Sequence, residues 1–143
     1  MKLALMVCCS STLAFAWGTT GHEVIAEIAA KHLTGRANSE IKSILAQDET
    51  LASVSNWADE VKDSKDWVGS DKWHYFDFST EAVWQNVKPQ GENSILSAIP
   101  RFEGVLRTRT SSAADKKAAV KFLVHLVGDV HQPLHISTLK ERG

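Results

Sequence analysis

The chain has 143 residues, with 16 Lys+Arg against 17 Asp+Glu and a formal net charge of −1 at pH 7. That balance excludes a strongly basic nucleic-acid coat or a polybasic membrane binder, and 43% apolar with 23% charged residues excludes an intrinsically disordered chain. The length suits one domain large enough to bury a core.

Residues 1–16 have the pattern of an export signal. Lys2 supplies a thin positive start, residues 3–9 an apolar run, and Ala14, Phe15 and Ala16 a small-x-small cleavage site. The run falls far short of the roughly 18–20 apolar residues that span a bilayer. A secreted or periplasmic destination is expected, with Trp17 first in the exported chain and no part of it in a membrane. Both cysteines, Cys8 and Cys9, lie in this leader, so the exported domain has no disulfide to hold it together. The six histidines offer metal binding in its place.

Beyond the leader, Thr19 or Thr20 is placed to cap a first helix with Val24, Ile25, Ile28, Ala29 and Leu33 on its apolar face, ending near Gly35. Asn38 or Ser39 starts a short second helix through Ile41, Ile44 and Leu45. Thr50 precedes a third, LASVSNWADEVK, followed by a polar loop through Gly69 and Ser70. The aromatic segment KWHYFDF is too short for a helix and predicts an extended or irregular stretch packed on the core. Residues 85–92 predict a loop. Asn93 then caps a helix carrying Ile95, Leu96, Ile99, Phe102 and Leu106, in which Pro100 predicts a kink or a break. Ser112 or Asp115 begins the strongest helix, DKKAAVKFLVHLVGDV, which ends before the turn-forming HQPLH. No repeat or linker divides these elements, so the expected fold class is all-α, one mainly helical domain.

His125 and Asp129 stand four residues apart on that last helix and project from one face. An intrahelical hydrogen bond or a shared metal would both explain the pair. Asp129 sits among Leu126, Val127 and Val130, where a buried carboxylate is costly unless it is paired or bound to metal. His135 follows the proline turn and can fold back toward the helix end. At the other end of the chain, cleavage after Ala16 would give Trp17 a free α-amine beside its own carbonyl oxygen, and the two can chelate one ion. His22, five residues on, can reach the same ion. An α-amine has an ordinary pKa of about 7.7–8.0 and must lose its proton to bind, so occupancy should fall in acid.

The segments WGTTGHEVIAEIA, WADEVK, WHYFDF and HLVGDVHQPLH together resemble, in order and type, the signature blocks of the zinc-dependent single-strand-specific nucleases. That family includes mung bean nuclease and is related to bacterial zinc phospholipase C. The resemblance covers essentially all of residues 17–143 and implies a helical bundle around a zinc cluster. Carried over position by position, it implies a first zinc held by Asp59, His74, His125 and Asp129. A second would be held by the amine and carbonyl of Trp17, by His22, and by Asp129 as a bridge. A third would use His135 with a further His and Asp that such proteins carry later in the chain. The chain ends at Gly143, so the resemblance implies the N-terminal part of a nuclease domain, incomplete at the C-terminus, with near-complete ligand sets for two of three zincs.

Those ligand types suit zinc, which takes imidazole nitrogen and carboxylate oxygen and lowers the pKa of bound water to about 7. The implied activity is hydrolysis of single-stranded DNA and RNA to 5′-mononucleotides, with 3′-nucleotidase activity and no obligate protein partner. Asp59, Asp129 and Lys62 are the implied catalytic residues. Lys62, one turn from Asp59, is placed to meet a phosphate, its alternative being a solvated helix lysine. Tyr75 occupies the position of an aromatic that stacks on a base, its alternative being a place in the core. Asp77 is a candidate support for a ligand histidine. His32 is expected to be solvated or to cap its helix, His131 to be structural, and Trp57, Trp67, Trp73 and Trp84 to belong to the core. Two other functions remain open on the sequence: a phospholipase C-like zinc phosphodiesterase, and a non-catalytic zinc-binding protein.

Overall fold

The structure is a computed structural model that describes residues 18–78 and 93–138. The leader, Trp17, Trp84 and the 85–92 loop lie outside the described residues. Among the described residues α-helices occur in the order α1 (Thr19–His32), α2 (Gly35–Ile44), α3 (Leu51–Val54), α4 (Trp57–Val61), α5 (Ile95–Arg107) and α6 (Ala113–Val130). Single 3-10 turns occupy Lys65–Trp67, Ser70–His74 and Pro133–His135. The all-α class holds, with one small addition. KWHYFDF divides into the 3-10 turn and a strand, β1 (Phe76–Phe78), which pairs in parallel with β2 (Ile136–Thr138), Phe76 opposite Ile136. Among the described residues no helix is long and apolar enough to cross a membrane.

The centre of the molecule is α6, which packs against α5, α1, α4 and α2. Its apolar residues recur around most of the helix, as they must in a helix with neighbours on several sides. Fully buried Phe122 stacks on Phe102 with ring centroids 4.5 Å apart and meets Trp57, Trp67 and Trp73 edge to face at 4.8–5.3 Å. The three described tryptophans expected in the core are therefore packed on it. Ala26, Leu45, Leu51, Val54 and Val120 form a second cluster between α1, α3 and α6.

Several boundaries depart from expectation, each for a local reason. Thr34 caps α2 by accepting from the Ala37 amide at 3.2 Å, so Gly35 opens that helix instead of closing α1. The N-cap of α1 is Gly18, with no side-chain capping bond. The capping residue of α5 is Ser94, whose amide donates to Ser97 Oγ at 3.0 Å, while Asn93 accepts from the Trp73 indole at 2.9 Å. Pro100 neither ends nor breaks α5. It is exposed, so the hydrogen bond it lacks lies on the solvent side, where helices already open slightly toward water. On α1, Val24 and Ile28 are 51% and 52% exposed, and the residues that α1 buries are Ala26 and His22.

The predicted third helix is interrupted at Ser55 and Asn56. The amide of Asp59 bonds to the Asn56 carbonyl at 3.0 Å, which leaves the Ser55 carbonyl free of the helix ladder. Just before α3, Glu49 links this region to α6. It accepts from Lys121 at 2.7 Å, from Lys117 at 2.9 Å and from the Ala46 amide at 2.8 Å. The Lys121, Ala46 and Lys117 hydrogen bonds lower its carboxyl from an ordinary 4.5 to about 2. A depressed acid contributes stability above its unfolded value and loses it as pH falls through its folded value. Glu49→Gln is therefore expected to cost about 1–2 kcal/mol in urea unfolding at neutral pH. The gap to the parent should close as pH falls from 4.5 toward 2; a gap independent of pH would exclude the charge as its source.

Candidate metal centre

The released Ser55 carbonyl accepts the Nδ1 hydrogen of His125 at 2.7 Å. This bond fixes the ring's tautomer and leaves the neutral Nε2 as a lone-pair donor aimed into the centre. One turn along α6 is Asp129, which is buried and has its two oxygens facing different groups. Its Oδ2 lies 3.0 Å from His74 Nδ1 and 3.1 Å from His125 Nε2. Its Oδ1 lies 3.4 Å from His22 Nε2 and 3.6 Å from His135 Nε2. His74 comes from the 3-10 turn before β1, His22 from the first turns of α1, and His135 from the turn after α6. Asp59 on α4 completes the ring, with oxygens 3.8 Å from both His74 Nδ1 and His125 Nε2.

The imidazoles touch one another. His22 stacks on His125 with centroids 3.9 Å apart, and His74 meets His125 edge-on at 4.8 Å. Burial alone would raise the Asp129 carboxyl, but hydrogen bonds from His125, His22 and His74 outweigh it and hold the group well below the usual carboxylate range. Burial alone would lower His125, and the hydrogen bond and charge of Asp129, with that of Asp59, raise it instead.

Two sets of donor atoms lie within 4.8 Å of one another, His22 with His125 and Asp129, and Asp59 with His74 and His125. The set combines imidazole nitrogens and carboxylate oxygens, the donors zinc prefers. His22 Nδ1 and His74 Nε2 are buried with no hydrogen-bond partner. Imidazoles so closely packed around one carboxylate cannot all carry protons without repulsion, whereas a divalent cation in their midst satisfies several lone pairs at once. The residues present fit a metal centre.

The centre opens into a cavity of about 670 Å³ whose walls include Asp59, Lys62, His74, Tyr75, Asp129 and His135. Lys62 Nζ lies 3.0 Å from Asp59 Oδ1. Of the ligand, catalytic and base-stacking residues expected from the sequence, all but Trp17, which is outside the described residues, are thus brought to one place. His32 and His131 are exposed; His131 donates from Nδ1 to the Val127 carbonyl at 2.7 Å and closes the end of α6.

Three contributors escaped the sequence reading. The Ser55 carbonyl is backbone, which any residue could supply. Asn56 donates to the Thr19 carbonyl at 3.3 Å and ties the start of α1 to α4. Gly128 did leave a signal, because an isolated glycine inside a strong helix asks for a packing reason. A Cβ there would stand 2.9 Å from His22 Nδ1 and 3.3 Å from its Cε1. His125, stacked on one face of the ring at 3.9 Å, blocks retreat in that direction. Gly128→Ala is therefore expected to weaken zinc binding at least about tenfold, as losing a buried support of a metal ligand does, although alanine is the better helix former by about 1 kcal/mol. Zinc titration of the two proteins checks this, and unchanged affinity would mean that the His22 ring has room to move.

The family described as S1/P1 Nuclease matches residues 17–143. Nuclease S1 of Aspergillus oryzae (strain ATCC 42149 / RIB 40) is 31% identical over 92% of this chain and 48% of its own length. Endonuclease 2 of Arabidopsis thaliana is 29% identical over 89% of this chain and 48% of its own length. Nuclease P1 of Penicillium citrinum is 29% identical over 83% and 47%. The chain spans about half the length of the curated relatives it matches. A match running the length of the described centre, joined to a relative above 30% identity, decides the family: the chain belongs to the S1/P1 nucleases.

Proposed function

We propose that this protein is a zinc-dependent phosphodiesterase, exported after cleavage before Trp17, that hydrolyses single-stranded DNA and RNA to 5′-mononucleotides and acts on 3′-nucleotides. The observation that supports it most is a single buried carboxylate with its two oxygens turned to two groups of imidazoles on the floor of an open cavity. Asp59, His74, His125 and Asp129 would hold one zinc. His22 and Asp129, with the amine and carbonyl of Trp17, would hold a second, and His135 would serve a third. Ions bound there would supply Lewis-acid polarisation of the phosphoryl group.

The chain's own residues account for the rest. Asp59 holds the Lys62 ammonium at the cavity wall, where it can take a phosphate oxygen and offset charge that develops during displacement. Tyr75, in the same wall, offers a ring face to an unpaired base, a contact worth about 1–3 kcal/mol. Bases in a duplex already stack on each other and have no free face to give, so this contact favours single strands.

A phospholipase C-like activity would share the ligands but need an apolar cleft for acyl chains. The cavity carries Asn56, Asp59, Glu60, Lys62 and Asp71 in its walls, polar and charged groups that an acyl chain would have to desolvate, which disfavours the lipid reading. The test is cleavage by the zinc-loaded chain of single-stranded DNA, duplex DNA and phosphatidylcholine, with native mass spectrometry of the exported form for its first residue and zinc content. Cleavage of single strands alone is expected. Lipid cleavage would transfer the assignment to the second reading, and zinc binding without any cleavage would make the chain a zinc-binding protein.

A further inference from the structure

A second cavity, of about 760 Å³, lies between α2 and the segment that joins α5 to α6, and Arg36, Arg107, Arg109 and Lys116 line it with Glu40 as the lining carboxylate. Some cations outside the groove are paired, Lys62 with Asp59, and Lys117 and Lys121 with Glu49. Among the described residues, Arg107 is the cation of this groove with an ion pair, to Glu103 at 3.0 Å. Among the described residues Arg36, Arg109 and Lys116 have no carboxylate within 4.0 Å. Such a gathering stands out on a chain whose net charge is −1. Unpaired cations held around a groove repel one another and focus a positive potential that an anionic ligand relieves.

We propose that this groove is a second docking site, independent of base sequence, for the sugar-phosphate backbone of a single-stranded nucleic acid. The identity of the occupant rests on the nuclease reading; the need for an extended anion rests on the charges alone. Ile41, Ile44, Leu106 and Val120 between the cations give the floor an apolar character that suits sugars and base edges. Thirteen residues of α6 separate Lys116 from Asp129, about 20 Å at 1.5 Å per residue. At about 3.4 Å per nucleotide in a stacked strand, the two sites are at least about six nucleotides apart. A long strand can engage both, and a short one cannot. The groove would therefore hold a strand while its end or an internal bond is presented at the metal centre.

The test uses the zinc-loaded chain and a fluorescent oligothymidylate of about 20 nucleotides with nuclease-resistant phosphorothioate linkages, followed by anisotropy from about 50 to 200 mM salt. The double reversal Arg36→Glu/Arg109→Glu is expected to weaken binding at least tenfold at low salt and to reduce the salt slope by about 1.4, roughly 0.7 for each phosphate no longer neutralised. Lys31→Glu/Lys42→Glu makes the same change in net charge at exposed lysines outside the groove and is expected to change binding less than about threefold. The neutral pair Arg36→Gln/Arg109→Gln repeats the test if the reversal disturbs folding. Equal loss in both double reversals, or none in either, would overturn the proposal. So would loss of binding to anionic phosphatidylserine vesicles with oligothymidylate binding intact, which would assign the groove to a lipid surface. Failure of the nuclease reading is read separately, as absence of cleavage of an ordinary phosphodiester strand by the parent chain.

Discussion

Asp129→Asn is expected to prevent full zinc loading and to lower cleavage of single-stranded DNA by at least about 10²-fold, the upper end of what losing a mere support of a ligand costs. The carboxylate is buried and presents acceptors to His22 and His135 on one side and to His74 and His125 on the other. Asparagine preserves the shape, yet one of those two sides must then face an amide NH2, which has no lone pair for a metal and meets imidazole nitrogens instead. In the zinc-free protein the same change removes one member of a buried charge pair, which typically costs about 3–5 kcal/mol.

The sign of the pH dependence follows from the two shifts. Asp129 lies below its ordinary value of 3.8 in the folded protein, so its stabilisation is present above that value and is lost as pH falls through the folded one. His125 lies above its ordinary 6.5, so its stabilisation is complete below 6.5 and is lost as pH rises through the raised value. The zinc-free parent should therefore be most stable between those limits, and Asp129→Asn should flatten the profile. Zinc must displace the proton of His125, so its affinity should rise with pH through that raised value. Zinc content by atomic absorption, cleavage assays and urea unfolding at several pH values check each part. Full zinc loading together with more than about a tenth of parental activity would contradict the bridging role assigned to Asp129.

Removing zinc is expected to lower the melting temperature by more than about 10 °C, reversibly. Structural zinc contributes about 10–16 kcal/mol of apparent binding energy, as much as the roughly 5–15 kcal/mol that holds a whole domain folded. The elements that meet at the centre arrive from α1, α4, the turn before β1, α6 and the turn after it. Without a cation, His22, His74 and His125 are left packed on one another around a carboxylate that can accept only some of their protons. Half of what α1 buries is at the centre itself, since its two buried residues are Ala26 and His22. Hydrogen exchange after chelation should accordingly quicken first over Thr19–His32, with Ala119–Phe122 at the aromatic core slowest to follow. An unchanged melting temperature after exhaustive chelation would mean that the helices hold this cluster together without metal.

Much of the organisation is legible in the sequence alone. The apolar period of residues 115–130 identifies α6, and the i, i+4 spacing places His125 and Asp129 on one face of it. Thr50 and Ser112 mark helix starts correctly because a hydroxyl that accepts an early amide is a local device. Helix ends and interruptions are less legible. Gly35 looks like a stop and is a first helical residue, because Thr34 offers a better start than glycine offers an end. The run LASVSNWADEVK looks continuous, and it breaks because the Ser55 carbonyl has a partner on α6, a histidine distant in sequence.

The sequence by itself determined the helical class and the placing of His125 and Asp129 on one helix face, since periodicity and capping act over a few neighbouring residues, whereas Asp59 and His74 entered as candidate ligands only through the family resemblance. Only the tertiary structure decided that Asp129 turns one oxygen to each group of histidines, that Gly128 leaves room for the His22 ring, that Val24 and Ile28 face solvent, and that Arg36 and Lys116 share one groove. Each of these is settled by how helices pack, and packing joins residues whose separation along the chain carries no record of their meeting.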